Sequence, residues 1–300
     1  MSVGTIDRPV VDPGTLPGEV GMVERPRRRW LPFSPWHLLL MPTALVMLTP
    51  LVWMAVTSLS TLAQTRRFPP VLWPGSLQWH NYATALTIAP FGRWFLNTTI
   101  VTVAVVASNL LLCSLAAYAF ARIRFLGRGV VYLLLLATLM VPLQVVLIPT
   151  FLIVKDLHLL DTLGALIVPN LVNVFGIFLL VQFFRTLPVE LEEAARIDGA
   201  SRLGILFRIV LPLSLPAMAT LAVIQFMWTW NDFLWPLVTI INNQDAFTLQ
   251  LGLQAFQGAH STEWNVLMAG NVMSMIPMLV LFLVAQRYFV RGIATTGLKG

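Results

Sequence analysis

Residues 183–212 read FFRTLPVELEEAARIDGASRLGILFRIVLP, and this stretch sets the architecture of the chain. It holds Arg185, Glu190, Glu192, Glu193, Arg196, Asp198, Arg202 and Arg208, eight charges in a protein of which only 11% is charged. At the centre of a bilayer, at about 2.5–3.5 kcal/mol each, the set would cost roughly 20 kcal/mol or more. It is therefore expected in water, at the surface of an otherwise apolar chain. Pro188 suits a first helical turn, and Glu190, Glu192 and Glu193 favour the positive end of a helix. Gly199 supplies a left-handed residue that stops that helix. Ser201 is a cap for a second one, with Leu203, Leu206, Phe207 and Val210 at helical spacing and Pro212 at its close. The local reading is helix, sharp turn, helix.

Outside this stretch the chain is apolar almost throughout. It has 300 residues, 57% hydrophobic, with a mean hydropathy of +0.80, whereas a soluble domain carries about a quarter charged residues. That excludes a soluble enzyme. Six stretches, at about 37–59, 95–120, 130–154, 162–182, 213–241 and 266–286, each approach the length a tilted membrane-spanning helix needs. The expectation is an all-α integral membrane protein of six transmembrane helices, with the charged helix-turn-helix between the fourth and fifth. Residues 1–35, rich in Pro and Gly and carrying Arg27, Arg28 and Arg29, read as a disordered basic tail, and 36–300 as the membrane domain. Fifteen of the nineteen Lys and Arg fall on one side of these spans, leaving Arg66, Arg67, Arg93 and Lys155 on the other. Cytoplasmic loops retain positive charge, so both termini and the charged stretch are expected on the cytoplasmic side of the membrane. The same rule accounts for the net charge of +6 without nucleic acid. The single cysteine, Cys113, allows neither an intramolecular disulfide nor a cysteine-built metal site.

The charged stretch also carries a resemblance. Glu193, Ala194, Ala195, then Gly199 after three residues, then Ile209, Val210, Leu211 and Pro212 after nine more, resemble the signature loop of permease subunits in binding-protein-dependent ABC importers. Trp230, Asn231, Asp232, Phe233, Leu234, Trp235 and Pro236, with Gln286, Arg287, Tyr288, Phe289, Lys299 and Gly300, resemble the carbohydrate branch, similar to the second permease of maltose-type and glycerol-3-phosphate-type systems. The resemblance runs from about Trp36 to Gly300. It implies a membrane-spanning subunit, in a bacterial plasma membrane, of an ATP-driven importer of a sugar, oligosaccharide or related polyol, working by alternating access. It further implies a second, different permease, two ATPase subunits that bind Mg-ATP, and an extracytoplasmic solute-binding protein. This chain itself would bind no cofactor. By the same resemblance Glu193, Ala194, Ala195, Arg196, Asp198 and Gly199 form the loop that docks into a groove of the ATPase, with Arg196 and Asp198 open between contact and plain solvation. Small alanines allow close approach, and Glu193 offers a charge to a basic partner group; a solvated helix-start carboxylate is the plainer reading of Glu193 taken alone.

The rest of the sequence contains no G-x-x-x-x-G-K-[ST] phosphate loop, no H-E-x-x-H pair and no G-x-S-x-G elbow. A transport subunit is expected, not an enzyme. Polar residues within spans usually face a bundle interior or watery cavity, which nominates Asn173, Gln225, Asn231 and Asp232 for a substrate path, with Trp228 as an aromatic face for a sugar ring. For Trp230 and Trp235 the belt of tryptophans at a membrane interface is the stronger reading. The alternative to an ABC permease is an ion-coupled secondary transporter, which needs carboxylates at mid-bilayer; only Asp232 lies within a span, and off centre.

Overall fold

The computed structural model describes residues 36–69, 72–257 and 262–296. The tail 1–35 and the terminal Lys299 and Gly300 lie outside the described residues, as do the side chains of Arg287, Tyr288 and Phe289. The chain divides into two units, residues 1–49 and 50–300. What is described of the first is the opening of helix α1 (Trp36–Ser58), which runs through Pro42 and Pro50 without a break. Its Leu38, Leu45 and Met47 are exposed. The hydroxyls of Thr43 and Thr49 donate back to the carbonyls of Leu39 and Leu45, which removes the need for an external partner.

The second unit begins with the end of α1 and a capped turn, α2 (Leu62–Thr65), closed by a reciprocal Thr61–Gln64 capping box. Next come α3 (His80–Ile88) and the long α4 (Phe91–Arg122). Along α4 the buried residues Trp94, Thr98, Val101, Val105, Asn109, Cys113 and Ala117 recur every three or four positions, one continuous stripe of a helix face. A left-handed Gly127 opens α5 (Arg128–Ala137). A 3₁₀ turn at Thr138–Met140 then leads into α6 (Leu143–Asp156) through a bend of 104°. The expected third span is thus two helices. Pro142 holds Val141 in an extended conformation and cannot donate to a continuing helix. Pro149 sits inside α6 and does not interrupt it.

The fourth stretch contains α7 (Leu163–Ile167), a 3₁₀ turn with Pro169, and α8 (Val174–Thr186), whose first turn is capped by Asn173 accepting from the Gly176 amide. Then follow α9 (Glu190–Ile197) and α10 (Arg202–Ile205), continued by a π-helical turn at Leu206–Val210 and a single turn, α11 (Leu211–Leu213). Pro212 does not end this helix. The wider π turn leaves room for its ring, and the chain bends by 80° two residues later, at Ser214, into α12 (Leu215–Trp230). The apolar face differs from the expected one: Ile205, Leu206 and Val210 are buried, while Leu203 and Phe207, expected beside them, are exposed. The expected fifth span stops at Trp230. Asp232 accepts from the Trp235 amide and starts a separate short helix, α13 (Leu234–Thr239). The chain continues with α14 (Leu249–Ala255) and α15 (Trp264–Thr296).

Among the described residues the only β pairing is one isolated bridge, Gln257 to Thr262. Four segments are long and apolar enough to cross a membrane, Trp36–Ser58, Phe91–Arg122, Leu163–Thr186 and Trp264–Gln286; the two bent pairs raise the number to six if each is a single span. One core joins the second half of α4 to α8, α10 with its π turn, and α12, around Cys113, Phe184, Leu206 and Leu221. Gly176 lets α8 approach: a Cβ there would lie 3.0 Å from Leu221 and 3.1 Å from Cys113. Trp230 and Trp235 are buried in protein, not set in an interfacial belt. Their indole nitrogens donate to the carbonyls of Ser274 at 3.0 Å and Ala165 at 2.9 Å, which supplies the partner a buried indole requires.

Two further contacts hold the connecting segments. Gly252 of α14 lies directly on the ring of the buried Trp94, where a Cβ would come within 2.1 Å. Asp161, at φ +61°, accepts from three successive amides of the next-to-last connection, Ile241, Asn242 and Asn243, at 2.6, 2.8 and 3.3 Å. The Asn242 amide is the largest cause, and together these donors hold the Asp161 carboxyl below its ordinary value.

Gly252→Ala should lower stability by about 1–3 kcal/mol, because neither Trp94 nor the α14 backbone can give way locally; thermal unfolding of the detergent-purified protein measures it. Asp161→Ala should accelerate hydrogen exchange at the Ile241, Asn242 and Asn243 amides near neutral pH. Because the native carboxyl has a lowered pKa, its contribution is present above the unfolded value and is lost as pH falls through the folded one, so in that acid range wild type and variant should converge.

Candidate coupling surface and substrate cavity

The charged stretch forms a hairpin of two short helices whose turn is fixed by the backbone. Gly199 adopts φ +82°, its amide donates to Arg196 at 3.0 Å, and the Ala200 amide donates to Ala195 at 2.9 Å. This pair of bonds is a Schellman closure, which needs a left-handed residue at Gly199. A Cβ at that position would meet nothing within 4 Å, so the requirement for glycine is conformational and not one of space. The Ser201 hydroxyl accepts from the Gly204 amide and caps α10.

Of the six residues nominated here, Glu193, Ala194, Arg196, Asp198 and Gly199 are exposed and Ala195 is half-buried against the core. The five exposed residues lie on the outside of α9 and its turn, and Ala195 packs inward. Two residues of this hairpin escaped the sequence reading. Ile197 is 87% exposed at the tip, an apolar side chain in a charged neighbourhood. Glu192, beside Glu193, turns the other way and is buried. Its Oε1 lies 2.7 Å from Nε of Arg122, and its Oε2 accepts from the Tyr118 hydroxyl at 3.2 Å. Helical spacing could have placed Glu192 on the inward face, since it lies three residues before Ala195; its partner, seventy residues away on α4, left no local signal.

The nominated substrate-path residues divide. Asn173, Gln225, Trp228 and Asp232 line a cavity of about 590 Å³, joined there by Asn170 and Thr229. A smaller cavity of about 220 Å³ shares Asn170 and Asp232. Asn231 does not line either one: its amide donates to the Met227 carbonyl at 2.8 Å and contacts the Met278 sulfur. Within the larger cavity the amides are engaged with each other. Asn173 donates to Gln225 at 2.9 Å, and Gln225 donates to Thr229 at 3.1 Å. Asn109 supports the same break in the fourth stretch by donating to the Asn170 carbonyl at 2.7 Å, and Cys113 donates to that of Asn173 at 3.4 Å. These bonds satisfy carbonyls freed where α7 gives way to α8, as buried backbone requires. Trp228 is half exposed and stands edge-to-face with Phe175 at 5.4 Å, leaving ring surface toward the cavity. The cavity thus offers aromatic surface, a chain of amides and one carboxylate, and among the described residues no Lys or Arg lines it.

Comparison with known proteins places this geometry. Residues 109–295, which contain the hairpin and most of the cavity, match the model of a family described as the inner membrane component of binding-protein-dependent transport systems. The chain is 38% identical over 228 residues to the arabinooligosaccharides transport system permease protein AraQ of Halalkalibacterium halodurans, covering 76% of this chain and 81% of that one. It is 35% identical over 265 residues to the sn-glycerol-3-phosphate transport system permease protein UgpE of Pectobacterium atrosepticum, covering 86% and 94%. Its fold matches a chain of a bacterial ABC transporter involved in the import of the acidic polysaccharide alginate, with a TM-score of 0.77, 28% identity and coverage of 86% and 99%. The chain therefore belongs to the inner membrane components of binding-protein-dependent transport systems, as a multi-pass permease of the ABC importer class.

Proposed function

We propose that this chain forms one half of the membrane path of a sugar or oligosaccharide importer and that the α9–α10 hairpin is where an ATPase subunit takes hold of it. The observation that carries the reading is the outward face of Glu193, Ala194, Ile197 and Gly199, presented on a turn whose backbone is fixed. Small Ala194 admits a close approach, Ile197 supplies apolar area to bury, and Glu193 supplies a charge for a basic group on the partner. In this reading each bent pair, α5 with α6 and α10–α11 with α12, is a single crossing. That makes six spans, with both termini and the hairpin cytoplasmic.

A second, different permease completes the path, two ATPase subunits bind Mg-ATP, and a solute-binding protein delivers the ligand outside. ATP binding draws the ATPases together, the hairpins move with them, and the path opens outward; hydrolysis resets it. A carbohydrate or polyol cargo fits the relatives, which are named for the transport of arabinooligosaccharides and sn-glycerol-3-phosphate. It also fits the cavity, where Trp228 offers a ring face and Asn173, Gln225 and Asp232 offer polar edges.

Glu193→Ala should weaken co-purification of the ATPase by about tenfold, the value of one charge-assisted hydrogen bond, with membrane insertion unchanged. Unaltered association would return Glu193 to the role of a solvated helix-start carboxylate. Gly199→Val should impose about 1–2 kcal/mol of strain on the left-handed turn without any steric clash, and so reduce both ATPase association and uptake. Wild-type values for both would remove the hairpin from the coupling step.

A further inference from the structure

Arg122 occupies a place that docking does not explain. It is the last residue of α4, its side chain is only 9% exposed, and it faces the 2% exposed side chain of Glu192 at 2.7 Å. The same guanidinium donates through Nη2 to the carbonyl of Leu187, the residue that closes α8, at 2.7 Å. Tyr118, one turn earlier on α4, donates to the second carboxylate oxygen of Glu192. One buried cluster thus ties three helices: the end of α4, the end of α8 and the start of α9.

A buried ion pair is a poor source of net stability, since desolvating both charges offsets most of their attraction, and well-packed apolar replacements are often as stable. What it does supply is direction. Apolar contacts between helices permit slip along the axis with little change in buried area, whereas a slip here would separate a buried ion pair and break the hydrogen bonds from Tyr118 to Glu192 and from Arg122 to the Leu187 carbonyl. The neighbours Glu192 and Glu193 therefore divide the work of α9: Glu193 faces the solvent, and Glu192 faces the ends of α4 and α8. We propose that Arg122 and Glu192, with Tyr118, form a latch that fixes the register of the hairpin on α4, so that a displacement applied to the outer face of α9 is passed to α4 and α8 as one rigid movement. Glu192 and Arg122 are then positioning residues for transport. The inference rests on the coupling reading above.

The test uses two spin labels on the full chain assembled with its partner permease and ATPases. One is at Ala200→Cys, exposed beside the turn, and one at Leu126→Cys, fully exposed just beyond α4; the native Cys113 is buried. With the latch intact, the distance distribution is narrow and is the same without nucleotide and with trapped Mg-ATP. In the apolar pair Arg122→Met with Glu192→Leu, whose melting temperature is measured alongside because the Leu187 carbonyl and the Tyr118 hydroxyl lose their partners, the distribution broadens without nucleotide and shifts by about 5 Å, one helical turn of slip, with nucleotide. The reversed pair, Arg122→Glu with Glu192→Arg, should narrow it again. A purely structural role would move the melting temperature and the distances together. An apolar pair with wild-type distances in both states overturns the latch. Failure of the ATPase to associate with the wild-type chain would instead overturn the docking reading, and the nucleotide-free arm would still decide the latch.

Discussion

Hydrocarbon solvates neither charge nor unpaired backbone, and that constraint organises the second unit. Where its helices break, the exposed groups are met by side chains drawn from neighbouring segments. Asn109 and Cys113 serve the carbonyls between α7 and α8, Asn173 caps α8, and Asp232 takes the amide that opens α13. Each break in turn gives the cavity its polar edge. Two of these residues, Asn173 and Asp232, also line the larger cavity.

The same constraint concentrates charge. The hairpin carries its ions outward except for Glu192, which goes inward only because Arg122 and Tyr118 meet it there. A surface of this kind suits a mechanical role. Its outer face is exposed and is free to contact another protein, its turn is set by the Gly199 backbone, and its inner face is tied to the ends of α4 and α8.

Much of this was legible in the sequence because it depends on local chemistry. The left-handed Gly199, the Ser201 cap and the all-helical membrane class follow from residue type and spacing over a few positions. Four of the five residues nominated for the path meet at one cavity, since a polar group in an apolar span is costly wherever it points except inward. What escaped depends on distant partners. The bend at Pro142 was written in one residue, yet whether a proline bends a helix or is carried through it, as at Pro149, is decided by the packing around it. Trp230 and Trp235 look interfacial by type, but Ser274 and Ala165, far along the chain, offer carbonyls that draw them inside. Asn231 sits among the nominated polar residues in sequence and turns back to its own helix. The face that α10 and its π turn bury is set by the helices they pack against, so Leu203 and Phe207 lie outside while Ile205 lies inside.

The central claim is that the hairpin faces the cytoplasm and is covered by an ATPase. The most direct measurement is labelling of an Ile197→Cys variant, at the exposed tip, with a membrane-impermeant maleimide. The account predicts labelling in inside-out vesicles, protection when the ATPase is bound, and no labelling in right-side-out vesicles. Reaction from the outer side, or equal reaction with and without the ATPase, would contradict it.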